Sequence, residues 1–226
     1  MRSKNLILHI YFPLFVFLFI FNTQNALSDN SVDSRLDHIL NRIEKRYDIP
    51  GFSALFDQYS TNKVMDITDS ASGKVYFKRP GMMRWEYEKP EKKHYISNSK
   101  TLWVFRPEDS QVMVGKAPTL SGNGKGAGLL SVDINLIRQS FSITLEKDED
   151  NKDYLLKLVP KEPGPELSLI YMSISRTTFD VVSIVTYNSS DDENRIKFTD
   201  IKEEGKLKDS MFNFTIPENT EILSFD

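Results

Sequence analysis

The 226-residue chain has no cysteine, which excludes a disulfide framework, a thiolate metal site and a thiol nucleophile. Histidine is nearly as scarce, with three in all. His9 lies in an apolar leader, His38 falls on the polar side of a helical pattern, and His94 stands beside Lys92 and Lys93. None has a second histidine at ligand spacing. The Gly-x-Ser-x-Gly elbow of hydrolases is missing, and so is the Gly-Lys-Ser/Thr ending of a phosphate loop. The glycine-rich stretch over residues 122–128 has Lys125 followed by Gly126 and does not open a helix after a strand, so it reads as a hinge. Glu86 and Glu88 share one face of a strand, where acids are ordinarily solvated. A positive charge excess is also lacking: the formal charge is −3, which excludes the basic footprint of a nucleic-acid binder. These absences predict no catalytic residue, no metal and no cofactor, and so a binding protein rather than an enzyme.

What is present begins with an address. Arg2 and Lys4 precede an apolar run over residues 6–21, followed by Asn22, Thr23 and the small-x-small sequence Ala26-Leu27-Ser28. That is the layout of a signal peptide over residues 1–28, with cleavage after Ser28. An uncleaved anchor is the alternative, but the run is shorter than the roughly 17–25 residues of a spanning helix, and His9 and Pro13 interrupt it. Removing residues 1–28 takes away two cations and no acid, leaving a formal charge of −5. A lipid-anchored bacterial lipoprotein needs a cysteine directly after its leader. The expected product is therefore an exported, unlipidated, soluble single domain over residues 29–226.

Residues 31–47 place Val32, Leu36, Ile39, Leu40, Ile43 and Tyr47 at three- and four-residue steps, which predicts an amphipathic helix capped by Ser31 and stopped at Pro50-Gly51. After Gly51 the helical period gives way to short runs rich in aromatic and β-branched residues. They fall at 52–59, 64–68, 73–79, 83–88, 94–97, 101–105 and 111–114, then at 141–147, 154–159, 167–175, 179–187, 195–201 and 211–215. One antiparallel sheet that curls into a sandwich or barrel is expected. Between the two series, residues 129–137 form an apolar stretch that reads as a short helix or two covering one face or mouth of the sheet.

Several strands do not alternate. Trp103-Val104-Phe105, Leu155-Leu156, Leu169-Ile170-Tyr171-Met172 and Val181-Val182-Ser183-Ile184-Val185 are apolar on both faces. A half-solvated antiparallel sheet would not carry them. Either both faces are covered by packed structure, or the curled sheet encloses an apolar hollow suited to an acyl chain.

The stretch Gly73-Lys74-Val75-Tyr76-Phe77-Lys78-Arg79-Pro80-Gly81-Met82-Met83-Arg84-Trp85-Glu86-Tyr87 closely resembles the signature of the LolA family of periplasmic lipoprotein carriers. Tyr95 through Phe105 and Gln111-Val112 match the succeeding strands in order and spacing. Phe52 through Gln58 resembles the family's opening strand, and Phe212 through Pro217 its closing one. The resemblance implies a mainly β fold with α: an unclosed antiparallel β-barrel, or half-barrel, of about eleven strands with a helical lid over an apolar cavity. It further implies a monomeric periplasmic carrier that takes lipoproteins by their acyl chains from an inner-membrane ATP-driven transporter to an outer-membrane acceptor. A lipid- or lipoprotein-sensing regulator of the same fold is the alternative.

Residue by residue, the family's lid latch falls on Arg79 and its exposed contact at the barrel mouth on Met83, next to Met82. Phe56, Phe77, Trp85 and Trp103 are expected to line the cavity, with Leu129, Leu130, Val132, Ile134, Leu136 and Ile137 in the lid. The physical need is plain. At about 0.8 kcal/mol per buried CH₂, three long acyl chains are held in a bilayer by tens of kcal/mol. A carrier must offer comparable apolar area and hide it when empty.

Overall fold

A computed structural model describes residues 24–117, 134–147 and 152–224, with side-chain surroundings from Ser34 onward. Its elements in chain order are α1 (Gln24–Tyr47), β1 (Gly51–Asn62), β2 (Ile67–Lys78), β3 (Met82–Lys89), β4 (Lys93–Asn98), β5 (Thr101–Arg106) and β6 (Gln111–Lys116). Then come α2 (Ile134–Ser140), β7 (Phe141–Glu146), β8 (Asp153–Pro160), β9 (Leu169–Ser175), β10 (Val181–Tyr187), β11 (Glu193–Glu203), a 3-10 turn (Asp209–Phe212) and β12 (Glu221–Ser224).

All twelve strands form one sheet in the order β12-β6-β5-β4-β3-β2-β1-β11-β10-β9-β8-β7. Neighbours are antiparallel except β12, which lies parallel to β6. The two ends, β12 and β7, do not pair, so the sheet is an open half-barrel, as expected; the extra parallel strand takes it from about eleven strands to twelve. Paired residues across neighbouring strands share a face, so the register assigns every strand side chain to one side of the sheet or the other. The inner face carries Ala54, Val75, Trp85, Tyr95, Val104 and Met113 in one cross-strand row. The outer face carries Ser53, Tyr76, Arg84, Ile96, Trp103 and Val114 in the next.

Both helices lie on the inner face. Leu40 and Ile43 of α1 are buried with Ile134 and Ile137 of α2 against Leu156, Leu158 and Met172. Tyr47 packs edge-on to Phe52 at 5.2 Å and accepts the Val181 N–H at 3.0 Å, which pins the end of α1 to the start of β10. Burial pushes the Tyr47 hydroxyl up to about 12.

Three expectations change. Residues 64–68 are not a separate strand: a turn over 63–66, closed by the Met65 N–H donating to Asn62 Oδ1 at 2.8 Å, joins β1 directly to a longer β2. Residues 211–215 are not a strand either, because this segment runs across the sheet instead of along its edge. The helix begins at Gln24 instead of Ser31, since no proline or glycine interrupts residues 24–47. The expected cleavage point after Ser28 falls inside it.

The crossing segment answers the puzzle of Trp103-Val104-Phe105. From Glu204 onward the chain straps the outer face, strand by strand. Ser53 Oγ donates to Glu204 Oε1, Lys78 Nζ to the Leu207 carbonyl, and Arg84 Nη1 to the Met211 carbonyl, at 2.8, 2.6 and 3.0 Å. Phe214 then meets Phe105 at 4.9 Å, and Phe212, Ile96 and Val112 are completely buried. The strap ends where the Glu221 N–H donates to the Ser110 carbonyl and β12 begins. The strap covers the outer side of β5, while its inner side, with Leu102 and Val104, belongs to the half-buried inner face.

Candidate functional site

The inner face is lined along its middle by aromatic rings. Phe56 of β1 sits 4.8 Å from both Trp85 and Tyr87 of β3, each edge-on, and Trp85 lies 6.0 Å from Phe77 and 6.2 Å from Phe198. Gly73 makes this possible. It pairs with Phe56 on one side and Tyr87 on the other, at a register shift in β2, so the two rings meet over a position with no side chain of its own. Tyr87 is mostly buried, donates its hydroxyl to Gln58 Oε1 at 2.7 Å, and is held well above the usual tyrosine range by desolvation.

Phe56, Phe77 and Trp85 are therefore together, as expected. Trp103 is not with them. Its cross-strand partners are Ile96 and Val114, both outer-face residues, so Trp103 faces away from the cavity into the layer under the strap. Strand parity is the reason: the inner neighbours in β5 are Leu102 and Val104. Leu102, Val104, Tyr95 and Met113 extend the inner apolar surface toward β6 and are half-buried.

Of the lid residues, Ile134 and Ile137 are each 4% exposed, and Leu136 is half-buried. Leu129, Leu130 and Val132 lie outside the described residues. Much of the cover comes from α1, whose Leu40 and Ile43 meet α2 across the sheet. An Arg138–Asp37 ion pair of 2.7 Å joins the two helices at the surface. The void left among Leu40, Ile43, Ile134, Ile137, Ile143, Leu156, Leu158 and Met172 measures about 10 Å³, the space of a single water. Ligand pockets commonly reach about 300–1,000 Å³. Under α2 the apolar face is filled by the protein's own side chains.

Arg79 stands at the turn between β2 and β3, half-exposed, with its backbone N–H on the Pro50 carbonyl at 3.0 Å. Its guanidinium donates to Asp48 Oδ1 at 3.1 Å, so the group it holds is the turn directly after α1. Asp48 was not singled out from the sequence, since an acid after a helix is unremarkable until the fold brings it to Arg79. Gly81, at φ +65°, completes the same turn. Met82 and Met83 follow it on opposite faces. Met82 pairs with Lys78 and Asn98 on the outer side, while Met83 pairs with Phe77 and packs against the inner core. Only Met83 borders the cavity side of the rim.

His94 is an outer-face residue between Glu86 and Phe105, stacked on the latter at 6.2 Å, with its Nδ1 buried and without a partner among the described residues. Desolvation holds its pKa below the usual 6.5. The unfolded chain thus binds this proton more readily than the folded one, so stability rises with pH between the lowered folded value and the ordinary 6.5 of the unfolded chain, and levels off above it. Urea titrations should show that rise in the wild type and a flatter profile in His94→Gln; an unchanged slope would place its source elsewhere. Among the described residues no three His, Asp or Glu side chains gather as a metal site.

The family model described as outer membrane lipoprotein carrier protein LolA matches residues 48–215. The outer-membrane lipoprotein carrier protein of Nitrosomonas europaea is 27% identical over 172 residues, covering 76% of this chain and 82% of its own. The protein of that name from Coxiella burnetii is 26% identical over 207 residues, covering 91% and 93%. In fold, the chain is similar to an uncharacterized conserved protein from Thermus thermophilus, with a TM-score of 0.55 at 13% identity over 84% of this chain and 99% of that one. With a family model spanning β1 through the outer strap, and with the open sheet, inner apolar face and helical cover in place, this chain belongs to the LolA family.

Proposed function

We propose that this protein is an exported carrier that holds lipoproteins by their acyl chains against the inner face of its half-barrel, and moves them from an inner-membrane transporter to an outer-membrane acceptor. The observation that carries the reading is an apolar inner face roofed by two helices whose core contacts leave almost no void, while the edge of α2 is tied down by an exposed ion pair. Exposed ion pairs such as Arg79–Asp48 and Arg138–Asp37 are worth about 0–1 kcal/mol each. Displacing α2 uncovers Ile143, Leu156, Leu158 and Met172, a surface that an acyl chain can cover in its place. Binding then exchanges one apolar contact for another, so the free energy difference between empty and loaded states stays small and cargo can be both taken and given up.

Arg79 is the latch in this reading, acting on Asp48 at the end of α1, and Met83 is the apolar contact at the mouth. The leader directs the chain to the periplasm and is removed there. Protein purified after export and extracted for mass spectrometry should yield acyl chains or acylated peptides. Arg79→Leu should raise the bound fraction up to about fivefold, the ceiling for loss of one exposed ion pair. If neither preparation holds acyl chains and the substitution changes nothing, carriage is refuted.

A further inference from the structure

The exposed flanks of α1 differ in charge. Its buried side is Leu36, Ile39, Leu40, Ile43 and Tyr47. On the flank toward α2 lie Asp37 and Glu44, and Asp37 is paired with Arg138. The opposite flank repeats Arg35, His38, Arg42 and Arg46 at steps of three and four residues, with Lys45 beside them. This flank meets the strand ends at the β9–β10 turn. Arg42 lies 4.4 Å over the Phe179 ring, Arg35 lies 5.8 Å over Tyr154, and Arg176 from the turn itself lies 4.5 Å over the same Tyr154. Arg46 is taken up by Asp180 at 2.7 Å. Arg35 and Arg42 have no carboxylate partner among the described residues. Arg176 spends its Nε on the Asp153 carbonyl, a neutral acceptor.

Three guanidinium groups are thus held on two aromatic rings, with no ion pair to a carboxylate among the described residues, on a chain whose overall charge is negative. Ring stacking fixes a guanidinium's plane while leaving its N–H edge free, the presentation that suits a phosphate oxygen pair. The patch also has a definite position. The β9–β10 turn and the β2–β3 turn sit at the same end of the sheet, because β10 and β2 each border the β11–β1 pair with Val181 and Lys78 at that end. The Arg46–Asp180 and Arg79–Asp48 pairs bracket the end of α1 between them.

We infer that the Arg35–Arg42–Arg176 patch is a docking surface for anionic phospholipid headgroups, which orients the open end of the half-barrel toward a membrane. Its purpose rests on the carrier reading, since cargo must cross from a bilayer into that end; its geometry does not. A lipid surface suits the patch because the cations are spread along one helix flank and two adjacent strand ends instead of converging on one point. Three charges give weak contact that salt releases, as a shuttle requires.

The test is flotation of the exported protein with vesicles of phosphatidylcholine alone, or of one part phosphatidylglycerol to two parts phosphatidylcholine. Wild type should float with the anionic vesicles only, and lose them at high salt. The combined Arg35→Gln, Arg42→Gln, Arg176→Gln variant should bind them on the order of a hundredfold more weakly, at roughly fivefold per charge. A Lys63→Gln, Lys89→Gln, Lys92→Gln variant, with the same charge change at the opposite end, should bind as wild type. Equal flotation with both vesicle types, or equal loss in the two variants, overturns the inference. So does binding of the patch to polyglutamate with no preference for anionic vesicles, which would assign it to an acidic protein surface. Circular dichroism confirms that the variants are folded. Bound acyl chains are measured on the same preparations: flotation lost with chains retained is the expected result for the patch variant, whereas absence of chains with flotation retained refutes carriage alone.

Discussion

Gly73→Ala is expected to cost on the order of 3 kcal/mol or more. A Cβ at this position would stand 1.9 Å from the Glu86 carbonyl oxygen and 3.0 Å from the Tyr87 Cα, both backbone atoms of β3 that cannot rotate away. Relief requires β2 and β3 to separate. Overpacking of a core position costs about 1–3 kcal/mol, and a ladder hydrogen bond left unmade adds about 1–3 more. For a chain of this size that lowers the melting temperature by roughly 2–4 °C per kcal/mol. Gly164→Ala is the control, since nothing stands within 4 Å of its added carbon. Thermal unfolding followed by circular dichroism should separate the two clearly; equal melting temperatures would show that the strands tolerate the methyl. The local consequence also bears on function, because Phe56 and Tyr87 meet across this glycine and would part with the strands.

Ile137→Glu should open the roof without unfolding the sheet. Ile137 is 4% exposed and faces an apolar enclosure of Leu40, Ile43, Leu156, Leu158 and Met172. A carboxylate has no partner there, and burying one costs several kcal/mol even after relaxation. Undocking α2 instead gives up the burial of Ile134 and Ile137, roughly 1.5–3 kcal/mol each, plus an exposed ion pair of little worth. The two costs are comparable, but only undocking returns the charge to water. The expected variant keeps its strand signal in far-ultraviolet circular dichroism and binds a hydrophobic dye strongly where wild type does not. Loaded with acyl cargo, it should lose the dye signal, because the chains cover what α2 exposed. A variant that unfolds cooperatively with no dye-binding folded state would show α2 to be part of the core instead of a movable cover, and would weaken the carrier reading with it.

The mostly β architecture was legible because the strand runs are short and bounded by turn residues, and α1 because its apolar spacing is regular. The motif over residues 73–87 led to the family, and of the four aromatics expected to line a cavity, Phe56, Phe77 and Trp85 share the inner face. Trp103 was misplaced because its strand is apolar at every position. Parity within such a strand carries no label, and only pairing with β4 and β6 assigns Trp103 outward and Val104 inward. The strap was missed for a related reason: Phe212 and Phe214 alternate like a strand, yet their partners lie across the sheet from β1 to β5, and that is a long-range choice.

The sequence by itself determined the first helix and the strand runs that became β1 to β11, the absence of cysteine, metal-ligand and nucleophile motifs, and the family, since each depends on local spacing or composition. Tertiary structure alone decided which face is inner, that α1 shares the roof with α2, that Arg79 holds Asp48, and that three arginines meet two rings at one end. These are relations between segments distant along the chain, brought together by strand order. A local pattern constrains which residues can pack, but the register of twelve strands settles what each of them meets.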